Sequence, residues 1–178
     1  MINWHAHGRI LRKSLKQRSH LLKLVHGTLP TNHVLHRGNP ARKGCPCCNN
    51  RDETWSHIVH CPHTTRAQWR YDLLRDLVTL CRKWKTRPEL GKILIDGIQG
   101  WLQSDDPMTY QELEDAIYDD EFYRLISYQQ NQIGWDQCML ERFSAEWETL
   151  QDNYHYTTRP EYHLKKSRTA AKWQVAII

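Results

Sequence analysis

The side chains with the clearest chemical potential crowd into one short stretch: Gly44-Cys45-Pro46-Cys47-Cys48-Asn49-Asn50, then His57-Ile58-Val59-His60-Cys61-Pro62. Cys45 and Cys48 form a Cys-x-x-Cys pair, a spacing at which one tight turn aims two thiolates at a single ion. Pro46 pre-sets that turn, and the amides of Cys47 and Cys48 can then donate to the Cys45 sulfur. Asn49 and Asn50 tolerate the left-handed geometry such a turn uses on its way out. His57 and Cys61 lie four apart on a short helix expected from about Glu53 to Cys61, so they share one face about 6 Å apart along the axis. Pro62 ends that helix, because the residue before a proline is biased away from helical geometry.

Together the two half-sites give a tetrahedral set of three thiolates and one imidazole, with no position left open for a substrate. One structural zinc ion is the expected occupant. It would contribute on the order of 10–16 kcal/mol of apparent binding energy, so chelation should unfold residues 28–62. The alternative is a group of ordinary buried thiols and solvated histidines; the ligand spacing of both half-sites and their closeness weigh against it. Cys47 could substitute for a neighbouring cysteine, and His60 or His63 could compete with His57. His60 is adjacent to Cys61 and faces elsewhere on the helix, while His63 lies beyond Pro62, so both rank below His57.

The elements that must carry this site are marked first by charge. Residues 1–51 hold ten Lys or Arg and no Asp or Glu, whereas residues 52–178 hold the other 15 basic residues and all 20 acids. Nine of the eleven His precede position 64. Such asymmetry signals a polyanionic partner. Residues 5–26 read as a helix closed by Gly27. Counted at 100° per residue, Ile10, Leu11, Leu15, Leu21, Leu22 and Val25 fall within about 140° of arc, with Arg9, Arg12, Lys13, Lys16 and Lys23 opposite. Arg18 lands inside the apolar arc and reads as a snorkelling or paired side chain. The basic stripe is what a phosphate-tracking helix presents, positioning a nucleic acid (RNA or DNA) without reading its sequence. Arg37, Arg42 and Lys43 flank the cysteine turn and extend that surface. The alternative is an amphipathic helix whose basic face docks on an acidic protein partner or on an upstream domain.

Lys23-Leu-Val-His-Gly-Thr-Leu-Pro-Thr-Asn-His-Val-Leu35, then Cys45-Pro-x-Cys48, then Glu53-Thr54-x-x-His57-x-x-x-Cys61-Pro62 and Trp69 follow one another in order. This combination resembles the zinc-binding domain found downstream of the reverse transcriptase in non-LTR retrotransposons, over residues 20–70 or so. The resemblance implies Cys45, Cys48, His57 and Cys61 as the zinc ligands. It also implies a domain without catalysis of its own, associated with RNA or DNA handling during retrotransposition, and an upstream reverse-transcriptase domain as a further partner. The chain departs from the pattern in carrying Cys47 between the paired cysteines, and no polymerase palm or endonuclease accompanies the match.

Pro30-Thr31 begins a short helix ended by Gly38, and Asn39-Pro40 marks a loop. From Thr64 onward the pattern is helical. One helix runs to about Trp84. A second opens at Pro88, a favoured first position, and carries Leu90, Ile93, Leu94, Ile98 and Trp101. Asp105-Asp106-Pro107 is a loop, and Thr109-x-x-Glu112 has the form of a capping box. Trp135, Met139, Phe143, Trp147, Leu150 and Tyr154 make one continuous stripe at spacings of three and four, read as core rather than as a base-stacking platform. The acidic cluster Asp115, Asp119, Asp120 and Glu121 reads as a solvated helix face rather than a two-metal site. Cys81 and Cys138 sit in apolar helical patterns and are expected in the core. A last helix starts near Pro160, and the apolar end Val175-Ala-Ile-Ile178 suggests a helix that continued in a longer protein.

Apolar residues make up only 39% of the chain, but eight Trp and eight Tyr supply large buried areas for a core. No apolar run approaches the ~18 residues of a membrane helix, and the start has no secretory h-region. The expected setting is intracellular, nuclear or cytoplasmic, where six Cys favour a metal over disulfides. Neither a Gly-rich phosphate loop nor a Gly-x-Ser-x-Gly elbow is present, so no small-molecule substrate and no catalysis are expected. The sequence thus predicts a mainly α chain in two parts. Residues 1–63 form a basic helix plus a small zinc-binding module of knuckle and short helix. Residues 64–178 form an all-helical region, truncated at its C-terminal end.

Overall fold

A computed structural model describes residues 2–5, 7, 8, 23, 26, 28–49, 52–103 and 121–158. Outside them lie Arg9, Arg12, Lys13, Lys16 and Arg18, with most of the helix expected over residues 5–26 and its cap Gly27. Asn50, the loop at 105–107, the capping box at 109–112, the aspartates of the acidic cluster and the last helix from Pro160 also lie outside.

The described residues are mainly α-helical, with pairing of extended backbone confined to two isolated bridges, Ile2 with Ser144 and Gly44 with Asp52. Helix α1 (Asn32–Leu35) begins where the Thr31 hydroxyl accepts the Val34 amide, the role expected of a threonine N-cap. A 3-10 turn, Pro40–Arg42, occupies the segment expected as a loop. Then come α2 (Trp55–His60), α3 (Thr64–Lys83), α4 (Pro88–Gln103), α5 (Glu121–Ile133), a second 3-10 turn (Asp136–Leu140) and α6 (Ala145–Thr158).

Helix α3 starts with His63 as cap, its ring Nδ1 accepting the Thr65 amide. It ends in a Schellman arrangement: the Thr86 amide donates to the Cys81 carbonyl and the Lys85 amide to that of Arg82. Lys85 takes the left-handed conformation (φ 51°) that glycine usually fills there. Gln151 of α6 holds this corner, accepting from the Arg87 amide at 2.9 Å and donating to the Lys85 carbonyl at 3.3 Å.

Helix α4 is the centre of the packing, in contact with α2, α3, α5 and the second 3-10 turn. Pro88 opens it, and Glu89 in the first turn suits the positive end of its dipole. Leu90, Ile93, Leu94, Ile98 and Trp101 are all buried, as their helical spacing requires. Gly97 lies on the same face, where a Cβ would run into the Trp135 indole.

The stripe from Trp135 to Tyr154 does not lie on one helix. α5 stops at Gly134 (φ 102°), the 3-10 turn follows, Glu141 takes φ 59°, and α6 begins only at Ala145. The cause is Gln130, which is fully buried. Its amide donates to the carbonyls of Gly134 (3.1 Å) and Arg142 (3.2 Å), and its oxygen accepts the Ser144 amide at 3.4 Å. Those bonds satisfy in a loop the backbone groups that a continuous helix would pair internally. The side chains still return to the core: Trp135, Met139, Phe143, Trp147 and Leu150 are buried, as are Cys81 and Cys138, and Tyr154 is half-buried. Among the described residues no helix is long and apolar enough to cross a membrane.

Candidate metal centre

The cysteine knuckle is built before its ligands are aimed. Gly44 pairs with Asp52 in an antiparallel bridge, which closes the segment between them into a loop. Inside it the Asn49 amide donates to the Cys45 carbonyl at 2.8 Å, and Asn49 adopts φ 57°, the left-handed exit its side chain tolerates. On the other half-site, Thr54 caps α2 by accepting the His57 amide at 3.1 Å. Helix α2 is shorter than expected, because Thr54 is extended as its cap (φ −80°, ψ 166°) and Cys61 turns out of the helix (φ −55°, ψ 128°) ahead of Pro62.

These two halves converge. One donor atom from each of Cys45, Cys48, His57 and Cys61 lies within 4.8 Å of all the others, so the four could hold one metal ion. The sulfurs of Cys45 and Cys61 are 3.9 Å apart, and the Cys48 sulfur is 3.2 Å from His57 Nε2. A tetrahedral ion with bonds of about 2.3 Å to sulfur and 2.0 Å to nitrogen needs edges of roughly 3.8 and 3.5 Å. The observed spacings bracket those edges. The sulfur–sulfur distance is also nearly twice the ~2.05 Å of a disulfide, and all six cysteines are free thiols.

Cys45 and Cys61 are fully buried; Cys48 and His57 are half-buried. Burial pushes the Cys45 thiol up, but the amides of Cys48 and Cys47 and the side chains of Cys61 and Cys48 donate to it and leave it below its ordinary value. Those two amide contacts are the ones the Cys-x-x-Cys turn predicts. Cys61 is pushed up by burial and by its neighbours Cys48 and Cys45, against one backbone hydrogen bond from His63. An apolar pocket holding several sulfurs disfavours stacking negative charge unless a cation shares it.

The competing donors have other places. Cys47 lies outside the group of four. Both ring nitrogens of His60 face carbonyls, Ser56 at 2.9 Å and Trp101 at 2.9 Å, and the ring stands edge-on to the Trp101 indole. His60 therefore joins α2 to α4. His63 caps α3 with its side chain and offers only its backbone amide to the Cys61 sulfur.

Two residues support the four donors: Arg70, which the sequence did not single out, and Glu53, which it gave only as part of the motif and as the expected start of the short helix. Arg70 Nη1 donates to the carbonyls of Val59 (2.8 Å) and Cys61 (3.0 Å), groups at the end of α2 that have no partner within the helix. Glu53 is buried and accepts the Asn32 amide on its carboxylate, while Asn32 Nδ2 donates to the Gly44 carbonyl at 3.0 Å.

Of the expected basic surface, Lys23, Arg37 and Arg42 are exposed and Lys43 is half-buried. None of the four pairs with a described carboxylate. Arg37 and Arg42 flank the knuckle in the turn after α1 and in the 3-10 turn. No protein-family model, curated protein or solved structure matches the chain.

Proposed function

We propose that this chain is a zinc-stabilised, non-catalytic module of a retrotransposon reverse-transcriptase-like protein, binding nucleic acid (RNA or DNA) through its basic first third. The observation that carries the proposal is the convergence of three thiolates and one imidazole, with two of the four donors fully buried. Thiolate ligands select zinc over hard ions such as magnesium, and four protein donors leave no vertex for water or substrate. The ion's role would then be to tie the knuckle to α2 and so hold the module folded.

The binding half rests on charge. Residues 1–51 carry no acid, and the exposed Lys23, Arg37 and Arg42 have no described carboxylate to neutralise them. Side chains of this kind serve phosphate contacts, which position a nucleic acid without reading bases. The retroelement origin rests on the ordered motif over residues 20–70 alone. A gel-shift series on the metal-loaded full chain, with single-stranded RNA and duplex DNA, tests the function. Binding at micromolar levels or tighter is expected, and five phosphate contacts would give log K against log salt a slope of about −4. Affinity unchanged in the double variant Arg12→Glu, Lys16→Glu would sink the nucleic-acid reading.

A further inference from the structure

Helix α3 shows the core only a narrow face: along its length Leu77 and Cys81 alone are buried. Beside that face a cavity of about 600 Å³ runs between α3 and α4. Its apolar lining comprises the half-buried Leu74, Val78 and Ile95 and the buried Leu102, with Tyr71 63% exposed on the rim. Among the described residues, the charged side chains lining it are Arg70, Arg75 and Arg82, with no Asp or Glu. Arg75 is neutralised by Asp72 and Asp76. Arg70 bonds only neutral carbonyls, and exposed Arg82 has no described acidic partner. Two guanidinium groups with no described carboxylate partner therefore stand on one helix, ~18 Å apart at 1.5 Å rise per residue.

We infer that the trough between α3 and α4 is a docking site for an acidic amphipathic helix of a protein partner. The chemistry is that of a helix laid in a groove: aliphatic side chains at one-turn spacing fill the apolar trough, and carboxylates about three turns apart meet Arg70 and Arg82. A nucleic acid fits less well, because the floor of the trough is aliphatic and, of its described lining, Tyr71 is the one aromatic ring for stacking. The inference uses neither the metal nor the basic first third, so it can fail while the proposed function stands.

The test is fluorescence anisotropy of the metal-loaded full chain with a labelled helical peptide of about 16 residues, long enough to span the two arginines. One peptide carries leucines on one face and glutamates at both ends; its control has lysines in place of the glutamates. Saturable binding of the glutamate peptide is expected, weaker by about tenfold or more for the lysine peptide and for the variants Arg82→Glu and Thr79→Trp. Both positions are exposed, so circular dichroism should be unchanged, and the tryptophan would fill the trough. Equal binding of the two peptides, or binding indifferent to Thr79→Trp, overturns the inference. RNA binding lost in Thr79→Trp would give the trough to a nucleic acid instead, and self-association abolished by it would give the trough to a second copy. Either result also overturns it.

Discussion

The carboxylate of Glu53 accepts the backbone amide of Asn32 at 2.8 Å, so the start of α1 is tied to the residue just before the cap of α2. The same residue donates its own amide to the Lys43 carbonyl at 2.7 Å, and its Oε1 lies 3.9 Å from Arg66 on α3. One buried glutamate thereby joins α1, the knuckle's entry and α3, while Thr54 beside it orients His57. Residues 31, 32, 53 and 54 of the motif are therefore scaffolding for the four ligands.

Replacing Glu53 with alanine strands the Asn32 amide and removes the tie. A loss of about 1–3 kcal/mol in unfolding free energy is expected, measured by urea denaturation of the metal-loaded chain. Glu53→Gln keeps an oxygen that can accept the amide and should recover part of it. An alanine variant as stable as the parent would show that the tie carries no weight.

The two glycines of α4 should respond oppositely to alanine. At Gly97 the added Cβ collides with the Trp135 indole, so overpacking of about 1–3 kcal/mol outweighs the ~1 kcal/mol that alanine gains in helix propensity. At Gly91 the Cβ would sit 3.7 Å from the Cys81 Cβ, an ordinary contact, and the variant should gain about 0.5–1 kcal/mol. Thermal unfolding of both variants decides it; shifts of the same sign would contradict the packing of Trp135 on α4.

Glu141 should make the fold sensitive to alkali. It is 2% exposed, and burial pushes its carboxyl up to about 8. The native state then holds a proton that the unfolded chain releases above the ordinary value of 4.5, so stability falls as pH climbs from there to about 8. Glu141→Gln removes that penalty. Urea unfolding should show little difference from the parent near pH 5 and a gain on the order of 1–3 kcal/mol at pH 8. Metal-ligand protonation is common to both proteins and cancels in the comparison; a gap that fails to widen with pH contradicts the burial.

The four converging donors and α3 and α4 are legible in the sequence because short-range geometry sets them. A tight turn spaces Cys45 from Cys48, one helical turn spaces His57 from Cys61, and Pro88 with its periodic apolar residues marks a helix wherever it packs. Glu53 and Arg70 act across sequence separations of 21 and 11 residues, to Asn32 and to Val59, and no local pattern announces such partners. Lys85 bends the chain left-handed without the glycine that would signal it. The break between α5 and α6 is hidden for a different reason. The loop that Gln130 pins returns Phe143 and Trp147 to the core at helical spacing, so the apolar period survives where the helix does not, and Gly134 is its one local mark.

The central claim is that Cys45, Cys48, His57 and Cys61 share one zinc ion, and X-ray absorption at the zinc edge of the purified full chain tests it most directly. The predicted result is one zinc per chain with three sulfurs at about 2.3 Å and one nitrogen at about 2.0 Å, a sulfur being lost from that shell in Cys48→Ser. A shell of oxygen and nitrogen alone, or a fully helical protein without stoichiometric metal, would contradict it.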